Sequence, residues 1–450
     1  MHNSKIAWFR AIMFLVVFVL INNLIVFIIC PKGNYSRNIL KEMYATDKNI
    51  DIVFAGSSYT MKAINPYIMD KKLECNTFDY SFASQIYIGT YYSLKELFKY
   101  HKPKLVVVTT DIYSYEAKEE KVMAYIPVVM YFKSLLPKLE FFINSAKNGS
   151  YLDRLFVWRA YHTKSLEDTI HNIHKKIDKN YINYPTKDQL EAYKNNKYGY
   201  RGKGFVSTDE NDSKYVLNSN KMGKMIKKCT DLSEIKPQNV EYLKKIVKLC
   251  RENNSELILL HTPVEPSIIF SEKNYFKFNE KISEIAKEDG IDYYDYNLIK
   301  SELFKVKLDS GSFFDQLHLN GKGADAFTES FAQFLKIKES GEDMSKYFYT
   351  PDEYFNSINY INNTWFTNKT DKTNINLKAD SFYGGQVIPE YQFVLTDSES
   401  GESTIIRDYY TDPNLTIKKP SLSKYKIRVN AREKGSDVEY SRYYEEEFKK

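Results

Sequence analysis

Cysteine is scarce in this chain of 450 residues. Only four cysteines occur, and the first of them, Cys30, lies at the end of an apolar run; the others are Cys75, Cys229 and Cys250. An odd and sparse set outside that run argues against a disulfide framework and against a cysteine-ligated metal site. We therefore expect neither a bound metal nor a cofactor.

The chain also lacks a large excess of charge of either sign. Its formal net charge is only +6, and lysine is interspersed with aspartate and glutamate. Proteins that bind nucleic acid usually gather their basic residues into one patch or stripe. The composition therefore argues against nucleic acid as a partner.

Long apolar runs are absent except near the N-terminus. Residues Ala11 to Cys30 contain no charged side chain, and about 20 such residues are enough to cross about 30 Å of hydrocarbon as a helix. Lys5 and Arg10 precede the run, which favours a cytoplasmic N-terminus with the rest of the chain outside. A cleaved signal peptide is the alternative, but no small-x-small cleavage site follows. We expect residues 1–33 to form the N-terminus and a single-pass membrane anchor.

Strand-like and helix-like segments alternate through most of the remaining chain. Predicted strands cover 52–55, 105–109, 256–261 and 291–295, and predicted helices cover 91–99, 240–252, 278–289 and 323–336. Such alternation is typical of an α/β domain with a parallel sheet between helical layers. Ligands of these sheets bind outside the carboxyl ends of the strands. We expect this domain to cover residues 34–340.

A long insertion interrupts the predicted domain at about 113–236. It is far longer than the usual connections in α/β units, so we expect it to have its own structure and to cover the site. Its first part, 122–143, is apolar and aromatic, which is consistent with packing on the domain or with a membrane partner. His171 and His174 have helical i, i+3 spacing. A pair of metal ligands is one interpretation, and a solvated helix face is the favoured one.

The last part of the chain, residues 341–450, has a different pattern. Short runs of alternating polarity occur at 375–377, 391–395, 404–406, 415–417 and 425–429, and turn residues separate them. This spacing predicts a small antiparallel β-sandwich that resembles an immunoglobulin-like module.

Two distant motifs supply the side chains of a nucleophilic site. Ser58 follows the first predicted strand in Gly56-Ser57-Ser58-Tyr59, and Asp315 precedes His318 by three residues. A serine hydroxyl becomes a good nucleophile when a base takes its proton, and that base needs a partner that fixes its tautomer. We predict Ser58 as nucleophile, His318 as base and Asp315 as its orienting carboxylate.

Three further residues are candidates for substrate binding. His261 ends a predicted strand and is expected either to line the pocket or to be buried. Arg201 and Lys203 lie in a glycine-rich loop, where they would meet anionic groups of a polymer or be exposed loop residues only.

These motifs resemble the SGNH/GDSL hydrolase family. The first family signature, Gly-Asp-Ser-Leu, stands here as Gly56-Ser57-Ser58-Tyr59, and the last, Asp-x-x-His, stands as Asp315 to His318. The resemblance implies a three-layer flavodoxin-like fold over about 51–337 outside the insertion. The middle signatures differ, since the family's glycine and Gly-x-Asn-Asp correspond to 80–85 and 109–113. We expect the N–H of Ser58 and Ser84 as oxyanion donors.

Together with the anchor, the pattern resembles the membrane-tethered branch of the family. That branch includes the D-alanyl transfer protein of teichoic-acid modification and proteins that O-acetylate exopolysaccharides. The resemblance implies an acyltransferase outside the cell whose acyl group comes from a membrane-bound O-acyltransferase and passes through Ser58 to a cell-envelope polysaccharide or teichoic acid. An esterase with the same three residues and a non-catalytic polymer-binding scaffold are the alternatives.

Overall fold

The structure is a computed structural model. It describes residues 2–30, 35–111, 114, 128–145, 151–161, 165–208, 236–266, 269, 275–300, 304, 308, 310–350, 353–354, 357–384 and 387–449. The first residues of the apolar part of the insertion, 122–127, and Cys229 lie outside this set. The chain divides into two compact units: the first is Met1–Met61, Cys75–Val206 and Lys236–Leu257, and the second is Lys62–Glu74, Ser207–Ile235 and Ile258–Lys450.

The α-helices with defined bounds all lie before residue 340. In chain order they are α1 (His2–Ile29), α2 (Tyr35–Ala45), α3 (Ser58–Ala63), α4 (Pro66–Leu73), α5 (Tyr87–Leu97), α6 (Leu135–Ser145), α7 (Tyr151–Leu155), α8 (Leu166–Ile177), α9 (Lys179–Ile182), α10 (Lys187–Lys194), α11 (Pro237–Glu252), α12 (Tyr275–Glu288) and α13 (Gly321–Glu339).

The strands form a parallel sheet, a hairpin and a C-terminal pair of sheets. They are β1 (Ile52–Ala55), β2 (Thr77–Asp79), β3 (Leu105–Thr109), β4 (Gly199–Gly202), β5 (Phe205–Ser207), β6 (Glu256–His261), β7 (Asp292–Asp295), β8 (Ile361–Thr370), β9 (Asn374–Tyr383), β10 (Pro389–Asp397), β11 (Ser403–Tyr410), β12 (Asn414–Lys418), β13 (Lys424–Glu433) and β14 (Arg442–Lys449).

The parallel sheet has five strands in the order β2-β1-β3-β6-β7. β1 pairs in parallel with both β2 and β3, and β6 pairs in parallel with β7. The apolar residues of β1 and β3 are buried because helices flank the sheet, as their continuous apolar runs predict. The predicted α/β fold class is confirmed.

The helix α1 matches the predicted apolar segment. Residues Lys5–Ile29 are long and apolar enough to cross a membrane, and their side chains are mostly exposed in the structure. A soluble protein would hide such a surface, so the exposure is consistent with either a membrane anchor or a signal sequence.

The C-terminal part is a β-sandwich, as predicted. One sheet has the order β11-β10-β13-β14 and the other β12-β9-β8, and all the strand pairs with a defined register in them are antiparallel. The core between the sheets includes Phe366, Phe393, Ile427 and Val429. Two of its strands, β8 and β14, were absent from the predicted set.

Candidate active site

The turn after β1 is shaped by a glycine that has no room for a side chain. Gly56 has a φ of +154°, and a Cβ there would overlap Thr109 Oγ1 and crowd Thr60 Oγ1. Those two hydroxyls are hydrogen-bonded to each other at 2.5 Å. The backbone of the turn therefore lies directly against the end of β3, which only glycine permits.

The two serines after Gly56 have different surroundings. Ser57 is buried, and its Oγ donates to Asp111 Oδ2 at 3.0 Å and accepts from the N–H of Tyr59 at 3.3 Å. Ser58 is partly exposed and is the first residue of α3. The hydroxyl of Ser57 is committed to the framework of the turn, whereas Ser58 is the more exposed of the two serines.

Asp111 is the residue that holds Ser57. Its carboxylate is buried and also accepts from Ser114 Oγ at 2.7 Å and from the Ser114 N–H at 2.8 Å. In the sequence, Asp111 falls within 109–113, the stretch that corresponds to the Gly-x-Asn-Asp signature, but no role was predicted for it. An ionised carboxylate only accepts hydrogen bonds, so it positions the turn through Ser57 and is unsuited to donate to an oxyanion.

The loop after β2 also reaches the turn. The Phe82 N–H donates to Gly56 O at 3.1 Å, and Gln85 Nε2 donates to the same oxygen at 3.4 Å. Ser84, predicted as an oxyanion donor, is exposed with a φ of +59° beside the buried Gln85. The structure thus adds Gln85 as a positioning residue, which sequence reasoning missed, and the donor role of Ser84 stays a prediction.

In the second unit, the structure brings Asp315 and His318 together. His318 Nδ1 lies 2.8 Å from both carboxylate oxygens of Asp315. Asp315 Oδ1 also accepts from the N–H groups of Leu317 at 2.8 Å and His318 at 2.9 Å. Because a carboxylate only accepts, His318 Nδ1 carries the proton in the neutral ring and the basic lone pair lies on Nε2.

The surroundings of this pair favour an ionised carboxylate. Burial by itself would raise the pKa of Asp315, but the hydrogen bond and charge of His318, the Leu317 N–H and the charge of Lys62 together lower it. Burial lowers the pKa of Lys62, and Asp315 opposes that change. The Lys62 ammonium lies over the Phe314 ring, 4.3 Å from its centroid.

Lys62 belongs to the helix that begins with Ser58. The two residues are four positions apart in α3, a spacing that puts side chains on the same helix face. Sequence reasoning did not single out Lys62, because an isolated lysine carries no pattern.

His261 lies in a buried polar cluster at the carboxyl ends of β6 and β7. Its Nδ1 is 3.3 Å from the hydroxyl of Tyr275 and 3.6 Å from Asp295 Oδ2. The Tyr275 hydroxyl donates to Asp295 Oδ2 at 2.5 Å, and Asn279 Nδ2 does so at 2.9 Å. His261 is 3% exposed, which corresponds to the expectation of burial; contact with a substrate stays a prediction.

The two predicted polymer-binding cations make contacts inside the first unit. Arg201 lies in β4, and its Nη2 donates to Lys194 O at 3.2 Å. Lys203 Nζ donates to Asn76 Oδ1 at 2.9 Å and to Thr77 O at 3.2 Å. These contacts anchor the β4–β5 hairpin beside β2, and a role toward a polymer stays a prediction.

Comparisons with known proteins give weak matches only. No family model matches the chain, and no curated protein matches it. Among solved structures, a GDSL-like lipase from Bacteroides thetaiotaomicron is 12% identical, with a TM-score of 0.32, 67% of this chain covered and 98% of the lipase chain. A two-domain esterase active on acetylated mannans, co-crystallised with mannopentaose, is 10% identical with a TM-score of 0.29, covering 93% of this chain and 96% of the esterase.

Proposed function

We propose that this chain is a membrane-anchored serine acyltransferase of the SGNH/GDSL type that modifies a cell-envelope polysaccharide or teichoic acid outside the cell. The observation that carries the proposal is the Asp315–His318 pair, in which the carboxylate accepts from Nδ1 and so directs the basic lone pair of the neutral ring to Nε2. Its partner in the proposal is Ser58, the accessible serine of the turn after β1.

The chemistry proceeds in two half-reactions. Ser58 Oγ attacks the carbonyl carbon of the acyl donor while His318 Nε2 takes its proton, and the tetrahedral oxyanion then collapses with loss of the donor's leaving group, which His318 protonates. A polymer hydroxyl next attacks the acyl-Ser58 ester and gives its proton to His318. Ser58 regains its proton when it leaves. Asp315 stays ionised and stabilises the imidazolium.

The direction of transfer depends on which acceptor reaches the acyl-serine. Water would make the chain an esterase, and a sugar or polyol hydroxyl makes it a transferase. We favour transfer because of the anchor and the C-terminal β-sandwich. In this proposal a membrane-bound O-acyltransferase delivers the acyl group at the membrane surface.

The neighbouring serines provide a matched test of the nucleophile. The full-length protein is incubated with p-nitrophenyl acetate and its intact mass is measured. We expect one acetyl group on the wild type and on Ser57→Ala, none on Ser58→Ala, and acylation slowed about 10²- to 10⁴-fold in His318→Ala, the usual worth of a general base. Acetylation that survives in Ser58→Ala would refute the assignment. The lifetime of the ester in water then separates transferase from esterase.

Contacts at the end of α1 support a retained anchor over a cleaved signal peptide. Asn172 Nδ2 donates to Cys30 O at 2.8 Å, and Lys176 Nζ donates to Cys30 O and Phe27 O. A basic side chain that caps the last carbonyls of a helix stabilises that helix end. Cleavage near this point would remove the acceptors of two buried side chains. We expect the intact mass of protein from the membrane fraction to include residues 1–33; a mass that begins after residue 30 would contradict this.

A further inference from the structure

A cleft of about 370 Å³ in the first unit is lined mainly by polar and basic side chains. They come from α2 and from the helices of the insertion. The lining includes Arg37, His171, His174, Lys175, Asp178 and Tyr181. Volumes of about 300 Å³ and more are typical of small-molecule sites.

Arg37 is the most buried cation of the cleft. It is 5% exposed, and its guanidinium stacks on the Tyr181 ring at 3.6 Å and donates through Nη2 to Tyr181 O at 2.6 Å. Its Nη1 has no hydrogen-bond acceptor among the residues that the structure describes. Among the described residues no carboxylate forms an ion pair with Arg37. A buried, unpaired guanidinium N–H is costly, so the site lacks an acceptor that a ligand would supply.

The other charges of the cleft also favour an anion. Lys175, His171 and His174 are exposed on α8. The one carboxylate of the lining, Asp178, accepts from the N–H groups of Asn180 at 2.8 Å and Tyr181 at 3.3 Å, so it already caps α9. In the described part of the chain no three potential ligands lie close enough to hold a metal ion.

The helix that carries these residues also holds the end of α1. Asn172 and Lys176 of α8 bind the carbonyl of Cys30, the residue after the apolar helix. The residues that precede these two in the helix, His171 and Lys175, line the cleft. If α1 spans a membrane, the cleft opens at the level of the lipid headgroups on the side where α1 ends.

The insertion also contacts α1 deeper along its length. Trp158 Nε1 donates to Asn22 Oδ1 at 3.0 Å, and the Phe156 ring packs on Phe18 with 5.9 Å between centroids. Asn22 lies two turns before the end of α1, about 10 Å by the rise of an α-helix. This is the usual depth of interfacial elements in a bilayer.

Apolar side chains near these contacts are exposed to the surroundings. They occur on α7 and α8, and include Leu152 and Leu166. Continuity with α1 makes lipid the occupant of this surface. A basic cleft and exposed apolar side chains on the same helix, α8, fit an amphipathic ligand with a negative head.

We infer that the cleft binds the phosphate group of an anionic phospholipid headgroup. The phosphate accepts from Arg37 Nη1 and from the side chains of Lys175, His171 and His174, an arrangement in which arginine provides directed hydrogen bonds and lysine a point charge. The acyl chains of the lipid lie along the apolar residues of the insertion. The lining includes none of Ser58, His318 and Asp315, and the inference does not depend on acyl transfer.

The test uses the full-length protein in micelles that contain equal amounts of phosphatidylglycerol and phosphatidylcholine, with retained lipid measured by native mass spectrometry. We expect the wild type to retain phosphatidylglycerol preferentially. A triple variant, His171→Gln/His174→Gln/Lys175→Gln, removes exposed residues and should lose about tenfold in that preference. Lys179→Gln and Lys187→Gln are the matched controls, because both lysines are exposed on neighbouring helices outside the lining.

A second arm separates the headgroup from free phosphate. Inorganic phosphate is added to the wild type and the triple variant, and thermal stabilisation is recorded. Stabilisation of the wild type alone, together with the lipid preference, supports the inference. Stabilisation without any lipid preference would refute the lipid source. Equal retention of the two lipids without stabilisation by phosphate, or a preference that persists in the triple variant, would refute the site itself.

Discussion

A buried ion pair connects the C-terminal sandwich to the segment that contains His318. Arg442, the first residue of β14, places Nη2 2.6 Å from Glu265 Oε1, and the two side chains are 12% and 2% exposed. Arg442 Nε also donates to Asn362 O at 2.7 Å. The Glu265 N–H donates to Gln316 O at 3.0 Å, between Asp315 and Leu317. The pair therefore supports both the sandwich and the predicted catalytic loop.

We expect Arg442→Met to destabilise the protein by about 3 to 5 kcal/mol, because it removes one partner of a buried pair and leaves the carboxylate of Glu265 without it. At about 2 to 4 °C per kcal/mol for a unit of this size, the melting temperature should fall by about 10 °C. The assay is thermal unfolding of the full-length protein in detergent, followed by circular dichroism. Acylation of Ser58 should slow in parallel, since Glu265 holds the backbone of Gln316.

The control is an ion pair of the same sheet that is exposed. Lys424 Nζ lies 2.9 Å from Glu447 Oε1, with side chains 42% and 37% exposed, and such pairs contribute about 0 to 1 kcal/mol. The melting temperature of Lys424→Met should therefore be close to that of the wild type. The double variant Arg442→Met/Glu265→Met should recover part of the loss, because the buried carboxylate is then removed together with the arginine. Equal melting temperatures of Arg442→Met and the Lys424→Met control would refute the reasoning. So would a loss of stability in the double variant that equals the sum of the losses in the two single variants.

Two further predictions concern the turn after β1 and the acid limb of stability. Gly56→Ala forces a Cβ onto Thr109, so we expect loss of Ser58 acylation and a lower melting temperature. Gly401 has a φ of +76° with open space around it, so Gly401→Ala should cost only about 1 kcal/mol of local strain. Equal melting temperatures of the two variants would contradict the steric argument. The lowered pKa of Asp315 means that, between its folded and unfolded values, the unfolded chain binds more protons. Asp315 therefore contributes stability above about pH 4 that disappears as the pH falls through the folded pKa. Chemical denaturation at a series of pH values should show a shallower acid limb in Asp315→Asn, and an unchanged limb would show that Asp315 does not contribute.

Regular patterns made much of the fold predictable. β1, β3 and β6 have the predicted bounds because each is a run of apolar, mainly β-branched or leucine residues. Helix ends shifted by a few residues; α13, for example, begins at Gly321 instead of residue 323 because Asn320 caps it. The strand β2 was missed since three residues give no periodicity. β8 and β14 were missed since their sequences are largely polar or charged.

The site was predictable only where it is local. Asp315 and His318 are three residues apart, so the spacing itself indicates their contact. Ser57 and Asp111, or Glu265 and Arg442, are joined by the fold across long stretches of chain. A single sequence carries no signal for such pairs, which is why the supporting residues emerged only from the structure.

The strand order of the parallel sheet has a consequence for synthesis. β1, β2 and β3 leave the ribosome early, whereas β6 and β7 of the same sheet follow only after the whole insertion. Until then β3, Leu-Val-Val-Val-Thr, is an apolar strand at an unpaired edge of the sheet. Such strands can pair with other chains and aggregate. Early folding of the insertion would bring its two ends closer together, so that β6 pairs with β3 sooner after synthesis. Substitutions that slow folding of the insertion should therefore reduce the yield of protein in the membrane while leaving the stability of the molecules that do fold unchanged.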